Sequence, residues 1–337
     1  MARKNNKGGG KRQRAQQRAQ YDELDKYPVL PPHAFARIVR DKQTLNIIYQ
    51  IIEPPMTKKE QEQRDEILDI FIRSLTANIE EIDANPEAYV RTAMDKVIKA
   101  YGMKINKKSK SKIFYYLRRD LIGYGEMDVL MNDINVEDIS LDGTNVPIFA
   151  YHRKFESVET TCVWKTDQEL ESYVIKLAQR CGKHISVADP LLDATLMDGS
   201  RIVMKLGREV STRGSAFCIR RFKDDPFSPA DIVAFRTMSS LMVAYLWIAF
   251  QNEVPMLFVG GTASGKTTTL NAMCIFIPWQ MKIVSIESTR EVNIPQPNWV
   301  PGLTRQGFGG ENDDGVIGEF ELLKAALRER PEYIIVG

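Results

Sequence analysis

Residues 257–272 read LFVGGTASGKTTTLNA, and Gly260-Gly261-Thr262-Ala263-Ser264-Gly265-Lys266-Thr267 within them fits G-x-x-x-x-G-K-[ST]. The pattern gains meaning from its flanks. Val254–Val259 is a short apolar run suited to a buried parallel strand, and Thr267–Ile277 reads as a helix stopped by Pro278. A second apolar run, Lys282–Ile286, completes a βαβ unit. In such a loop the glycines let the backbone bend around an anion, with successive N–H groups turned inward. The following helix adds its positive dipole end. The expected ligand is ATP, bound by residues Gly260 to Thr267 and by Thr268. Lys266 is expected on the β- and γ-phosphates, and the Thr267 hydroxyl on Mg2+.

Glu287 closes the second strand of this unit, and ligands of open parallel sheets sit at carboxyl strand ends. A carboxylate there faces the phosphates and is placed to orient water or take its proton. Glu291, four residues on, is a second candidate.

Working outward, Lys223–Pro229 (KDDPFSP) reads as a linker, and the stretch before it alternates strand and helix signals. Ile139–Leu141, Pro147–Tyr151, Arg201–Lys205 and Ala216–Arg221 are strand candidates, and Glu169–Cys181 is the clearest helix. Tyr21 to Leu130 reads as mostly helical, with helices expected over Lys58–Leu75, from Asn85-Pro86 onward and over Lys107–Ile122. Thr44–Glu53 is a possible strand. The resulting plan is a basic tail (1–20), a helical subdomain (21–130), an α+β domain (131–222), a linker (223–230) and an α/β nucleotide-binding domain (231–337).

Composition narrows the function classes. At 337 residues, 43% hydrophobic and 27% charged, the chain is neither disordered throughout nor a disulfide scaffold. The longest apolar run, Leu241–Phe250, is half the roughly 20 residues a bilayer core requires. Cys162, Cys181, Cys218 and Cys274 are far apart and read as reduced, packed thiols, and no metal-ligand spacing involves the three histidines. The chain has 46 Lys and Arg against 44 Asp and Glu, yet its first 20 residues hold seven basic and no acidic side chains. The body is therefore net acidic, which argues against a nucleic-acid translocase, and the tail reads as solvated and disordered.

With these stretches in view, the sequence resembles the type II/IV secretion ATPase superfamily, and its archaeal branch in particular. The resemblance lies in LFVGGTASGKTTTLNA (257–272), KIVSIESTREVNIP (282–295), NWVPGLTRQGFG (298–309) and LLKAALRERPEYIIVG (322–337). Upstream it continues in LIGYGEMDVLM (121–131), EDISLDG (137–143), KLAQRCGKHIS (176–186), DATLMDGSRI (193–202) and STRGSAFCIRRF (211–222), so it covers roughly Asp120–Gly337. It implies a mixed N-terminal domain joined to a RecA-like domain, with ATP between them. It also implies a homo-hexamer, cytoplasmic and peripheral at the inner face of the cell membrane, working on a polytopic membrane platform protein of an archaellum, pilus or secretion machine.

Carried over by position, Glu287 matches the acidic-box glutamate credited with water activation. The family usually has Asp directly after it, where this chain has Ser288. Arg213 and Arg220 resemble arginines that reach nucleotide phosphates, and Arg201 is a weaker match. In the family, the strand resembling Pro331–Gly337 continues into a Walker B glutamate and the rest of the sheet. The expectation is therefore a C-terminally truncated motor, with a parallel sheet incomplete in this chain, that binds ATP weakly and hydrolyses it poorly alone.

Overall fold

A computed structural model describes residues 20–73, 85–222, 226–261, 264–305 and 316–337. The tail expected over 1–20 therefore lies almost wholly outside the described residues, as do Thr262 and Ala263 of the phosphate-loop pattern. By its internal contacts the chain divides into two units, Met1–Leu192 with Val203–Arg221, and Asp193–Ile202 with Phe222–Gly337.

From Tyr21 the structure runs in strands where the sequence pattern predicts helix. Strands β1 (Tyr21–Leu30), β2 (Ala34–Asp41) and β3 (Ile47–Ile52) form an antiparallel meander, so the helical reading of 21–130 fails from Tyr21 to Asp41. The reason is local chemistry. β1 lies at the sheet edge, where no second partner demands apolar alternation, and its charges pair across the ladder, Glu23 with Arg37 and Asp22 with Lys42. β2 supplies the buried face instead, through Ala34, Ala36 and Ile38. The possible strand at 44–53 is present as β3.

Three helices follow close to their expected places: α1 (Lys58–Arg73), α2 (Pro86–Ala100) and α3 (Lys107–Leu121). Asn85 caps α2 by accepting the Ala88 N–H at 3.0 Å, with Pro86 at the first helical position. Ile67, Val90, Met94, Val97, Ile113 and Leu117 bury their side chains together between the three helices. Each fully buried apolar side chain stabilises the packing by about 1.5–3 kcal/mol.

After a short helix, α4 (Asp128–Asn132), the sheet resumes with β4 (Val136–Leu141), β5 (Pro147–His152) and β6 (Glu156–Val163). Helix α5 (Asp167–Arg180) is capped by Thr166 and precedes β7 (Leu191–Thr195), β8 (Arg201–Lys205) and β9 (Ala216–Arg220). The nine strands run in the order β1-β2-β3-β6-β5-β4-β9-β8-β7. Of the four cysteines, Cys162 and Cys274 are buried, whereas Cys218 is exposed and not packed.

In the second unit the expected linker is shorter than 223–230. Ser228 already caps helix α6 (Pro229–Ala234), with its partner Asp231 returning the bond in a capping box. Helices α7 (Ser240–Gln251) and α8 (Lys266–Cys274) follow. They precede β10 (Ile283–Glu287), β11 (Trp299–Leu303), α9 (Glu319–Ala326) and β12 (Tyr333–Val336). The three strands form a parallel sheet in the order β11-β10-β12. β10 is buried along its whole length, as expected of a central parallel strand with both faces covered.

The other strand expected in this unit is absent. Val254–Val259 takes no strand pairing among the described residues, and Leu257 and Val259 are 88% and 83% exposed. An apolar run becomes a strand only when a neighbour completes its ladder, and here no described strand does so, although Met256 and Phe258 pack on the core of the unit. The mixed α/β class holds, with a parallel sheet in the second unit.

Candidate functional site

The phosphate-type loop ends in a left-handed Gly265 (φ 86°), which serves as the N-cap of α8. A Cβ at that φ is strained, so glycine belongs there. At Gly260 the limit is space, since a Cβ would stand 2.5 Å from Ser264 Oγ. Ser264 in turn donates to the Gly261 carbonyl at 2.8 Å, holding the turn closed.

The first intrahelical bond of α8 runs from the Thr269 N–H to the Gly265 carbonyl at 2.9 Å. The N–H groups ahead of it have no acceptor within the helix and add to the positive dipole end. Lys266 stands at that same end with no acid in the first turn to balance it. A cation there is opposed by the dipole, by about 0.3–1 kcal/mol, which an anionic ligand offsets. Its ammonium donates to the Gly260 carbonyl at 2.9 Å and the Gly261 carbonyl at 2.7 Å, a folded-back pose within reach of the loop. Thr268 is exposed beside it.

The two acidic candidates differ in what they touch. Glu291 is exposed, and its Oε2 accepts the Thr267 hydroxyl at 2.9 Å. Donating that proton leaves the hydroxyl lone pairs free for a hard cation. Asn271, on α8, fastens the loop of Glu291 by donating to the Glu291 carbonyl at 2.9 Å and accepting the Asn293 N–H at 3.2 Å. Glu287 is 1% exposed, and its Oε1 accepts the N–H groups of Glu291 at 2.8 Å and Val292 at 2.7 Å. Burial pushes its carboxyl above the usual range, partly offset by those two donors. The second-choice acid of the sequence is thus the one bonded to Thr267, while the first choice is sunk at the end of β10.

The arginines fall in different units. Arg201 belongs with the phosphate loop, where Asp193 binds its guanidinium at 2.5 and 3.2 Å and the Glu291 carboxylate adds to the negative field. Arg213 and Arg220 belong to the first unit, and Arg220 pairs with Asp138 at 3.5 Å. No group of three or more potential metal ligands occurs among the described residues. Asn271, Ser285 and Trp299 were not singled out in the sequence, because their contacts join residues 14 to 22 positions apart.

Residues 155–337 match the family described as type II/IV secretion system protein. The chain belongs to this family. Among its relatives, the uncharacterized protein MJ0900 of Methanocaldococcus jannaschii is 36% identical over 316 residues, 93% of this chain and 56% of that protein. The type IV secretion system protein VirB11 of Bartonella henselae is 28% identical over 214 residues, 51% of this chain and 59% of that protein. The chain therefore spans just over half the length of these curated relatives. Among solved structures, the Legionella pneumophila ATPase DotB is similar at 18% identity and a TM-score of 0.40, over 63% of this chain and 58% of that one. No helix among the described residues is long and apolar enough to cross a membrane.

Proposed function

We propose that this chain is the ATP-binding and ATP-hydrolysing motor subunit of a secretion, type IV pilus or archaellum assembly machine. The observation that carries the reading is the phosphate-type loop set on the N-terminus of α8, with Lys266 placed against its dipole. Gly260, Gly261, Ser264, Gly265 and Thr268 frame the phosphates, with Thr262 and Ala263 completing the loop in sequence. Gly260, where a Cβ would collide with Ser264 Oγ, keeps the turn tight ahead of the helix N-terminus that receives the anion.

Lys266 holds the β- and γ-phosphates as a mobile positive charge, and the Thr267 hydroxyl holds Mg2+ while Glu291 fixes its orientation. When bound, Mg2+ neutralises charge on the phosphate oxygens. Glu287 accepts the proton of the attacking water, a role suited to a carboxyl whose proton affinity burial has raised. Arg213 and Arg220 supply guanidinium groups to the developing charge as the domains close, and Arg201 adds to the same field. The working form is a homo-hexamer on a polytopic membrane platform protein, at the cytoplasmic face of the membrane. The archaeal assignment rests on the 36% identity to a Methanocaldococcus protein.

A second reading, nucleotide binding without turnover, is favoured by one feature. The stretch leading into the loop, Val254–Val259, pairs with no strand among the described residues and leaves Val254, Leu257 and Val259 exposed, while Met256 and Phe258 pack on the core of the unit. Phosphate release by the 337-residue chain with Mg-ATP separates the two. Turnover abolished by Lys266→Ala supports the motor reading; binding with no turnover supports the second.

A further inference from the structure

Of Glu287's two carboxylate oxygens, Oε1 is held by two backbone N–H groups, whereas Oε2 faces the Ser285 hydroxyl at 3.5 Å. Ser285 lies two residues back on the same face of β10 and is fully buried, so water does not compete for its proton. Its hydroxyl oxygen accepts the Trp299 indole N–H at 3.0 Å from the neighbouring strand β11. The indole can only donate, so the hydroxyl proton is left to turn toward Oε2. The Trp299 ring is itself held, with the Arg290 guanidinium 5.6 Å from its centre and at the same distance from Phe222.

From this geometry we infer that Ser285 and Trp299 are positioning residues for Glu287. Trp299 sets the Ser285 hydroxyl, and Ser285 aims Oε2, the oxygen that takes the proton. The inference rests on the reading of Glu287 as the base of ATP hydrolysis. Both residues act through Glu287, Trp299 by way of the Ser285 hydroxyl. The relay joins β10 to β11, so it fixes the carboxylate against the sheet.

Two readouts on the full chain test it. The first is Trp299 fluorescence across pH, isolated as the difference between the wild-type chain and Trp299→Phe. The charged neighbour whose field reaches Glu287 is Glu291, so the titration is assigned with Glu287→Gln. The expected result is a pH-dependent Trp299 signal that disappears in Glu287→Gln and in Ser285→Ala and survives in Ser285→Thr. A titration unchanged in Ser285→Ala overturns the inference.

The second readout is steady-state phosphate release. Ser285→Ala is expected to lower kcat about tenfold with KM for ATP unchanged, the scale of one lost hydrogen bond to a charged group. Ser285→Thr restores it, and Trp299→Phe adds nothing in the Ser285→Ala background. Independent, multiplying losses overturn the relay. A chain that binds ATP without turnover favours the second reading, while the fluorescence arm still decides the relay.

Discussion

Gly260→Ala offers a measurable handle on the loop. The added Cβ would lie 2.5 Å from Ser264 Oγ, while Ser264 Cβ and Lys266 Cγ stay at 3.4 Å, so the hydroxyl is the atom that must give way. Turning it aside breaks its 2.8 Å bond to the Gly261 carbonyl. A hydrogen bond of this kind contributes about 0.5–1.5 kcal/mol, which is a two- to tenfold loss of nucleotide affinity if the loop's bound shape depends on it. Ser264→Ala loses the same bond by a different route. The two substitutions should therefore overlap: Gly260→Ala weakens Mg-ADP binding about two- to tenfold in the wild-type background and adds nothing in Ser264→Ala. Calorimetric titration of the four proteins reads this directly. Equal losses from Gly260→Ala in both backgrounds would refute the steric reasoning, because the clash would then lie elsewhere.

Other expectations follow from the same contacts. Glu291→Ala frees the Thr267 hydroxyl and should weaken the Mg2+ dependence of nucleotide binding several-fold, while Glu291→Gln, which keeps an acceptor, should weaken it less; equal effects in calorimetry would argue against the 2.9 Å bond. Burial raises the Glu287 carboxyl, so folding favours its protonated form, and its contribution to stability is present below the ordinary carboxylate range and lost as pH rises through the raised value. Glu287→Gln should then melt a few degrees above the wild-type chain at pH 8, with the gap closing toward pH 4; a gap independent of pH contradicts this. Ile113→Ala in the three-helix cluster should cost about 2–5 kcal/mol in denaturant unfolding. DNA should neither stimulate phosphate release nor bind in a salt-sensitive way, given the net acidic body.

The phosphate-type loop and β10 were legible because each is a local pattern, a glycine-lysine spacing in one case and an unbroken apolar run in the other. β1 was not, because an edge strand needs no apolar alternation and its Glu23 and Asp22 look like helix-surface charges until Arg37 and Lys42 are seen opposite them. Val254–Val259 failed the other way, with the composition of a strand but no pairing partner among the described residues. The ranking of Glu287 over Glu291 followed strand-end position and the family resemblance. Which acid meets Thr267 is set by the turn after β10, where the N–H groups of Glu291 and Val292 capture Glu287 and leave the Glu291 side chain free to reach α8. Contacts such as Trp299 to Ser285 depend on strand register, which no short window of sequence carries.

Equilibrium binding of Mg-ADP to the chain and to Lys266→Ala tests the nucleotide assignment most directly. Saturable binding by the wild-type chain, weakened at least a hundredfold by Lys266→Ala with the fold intact by circular dichroism, is the expected result. Equal affinity in the two proteins, or no saturable binding by the wild-type chain, would contradict it.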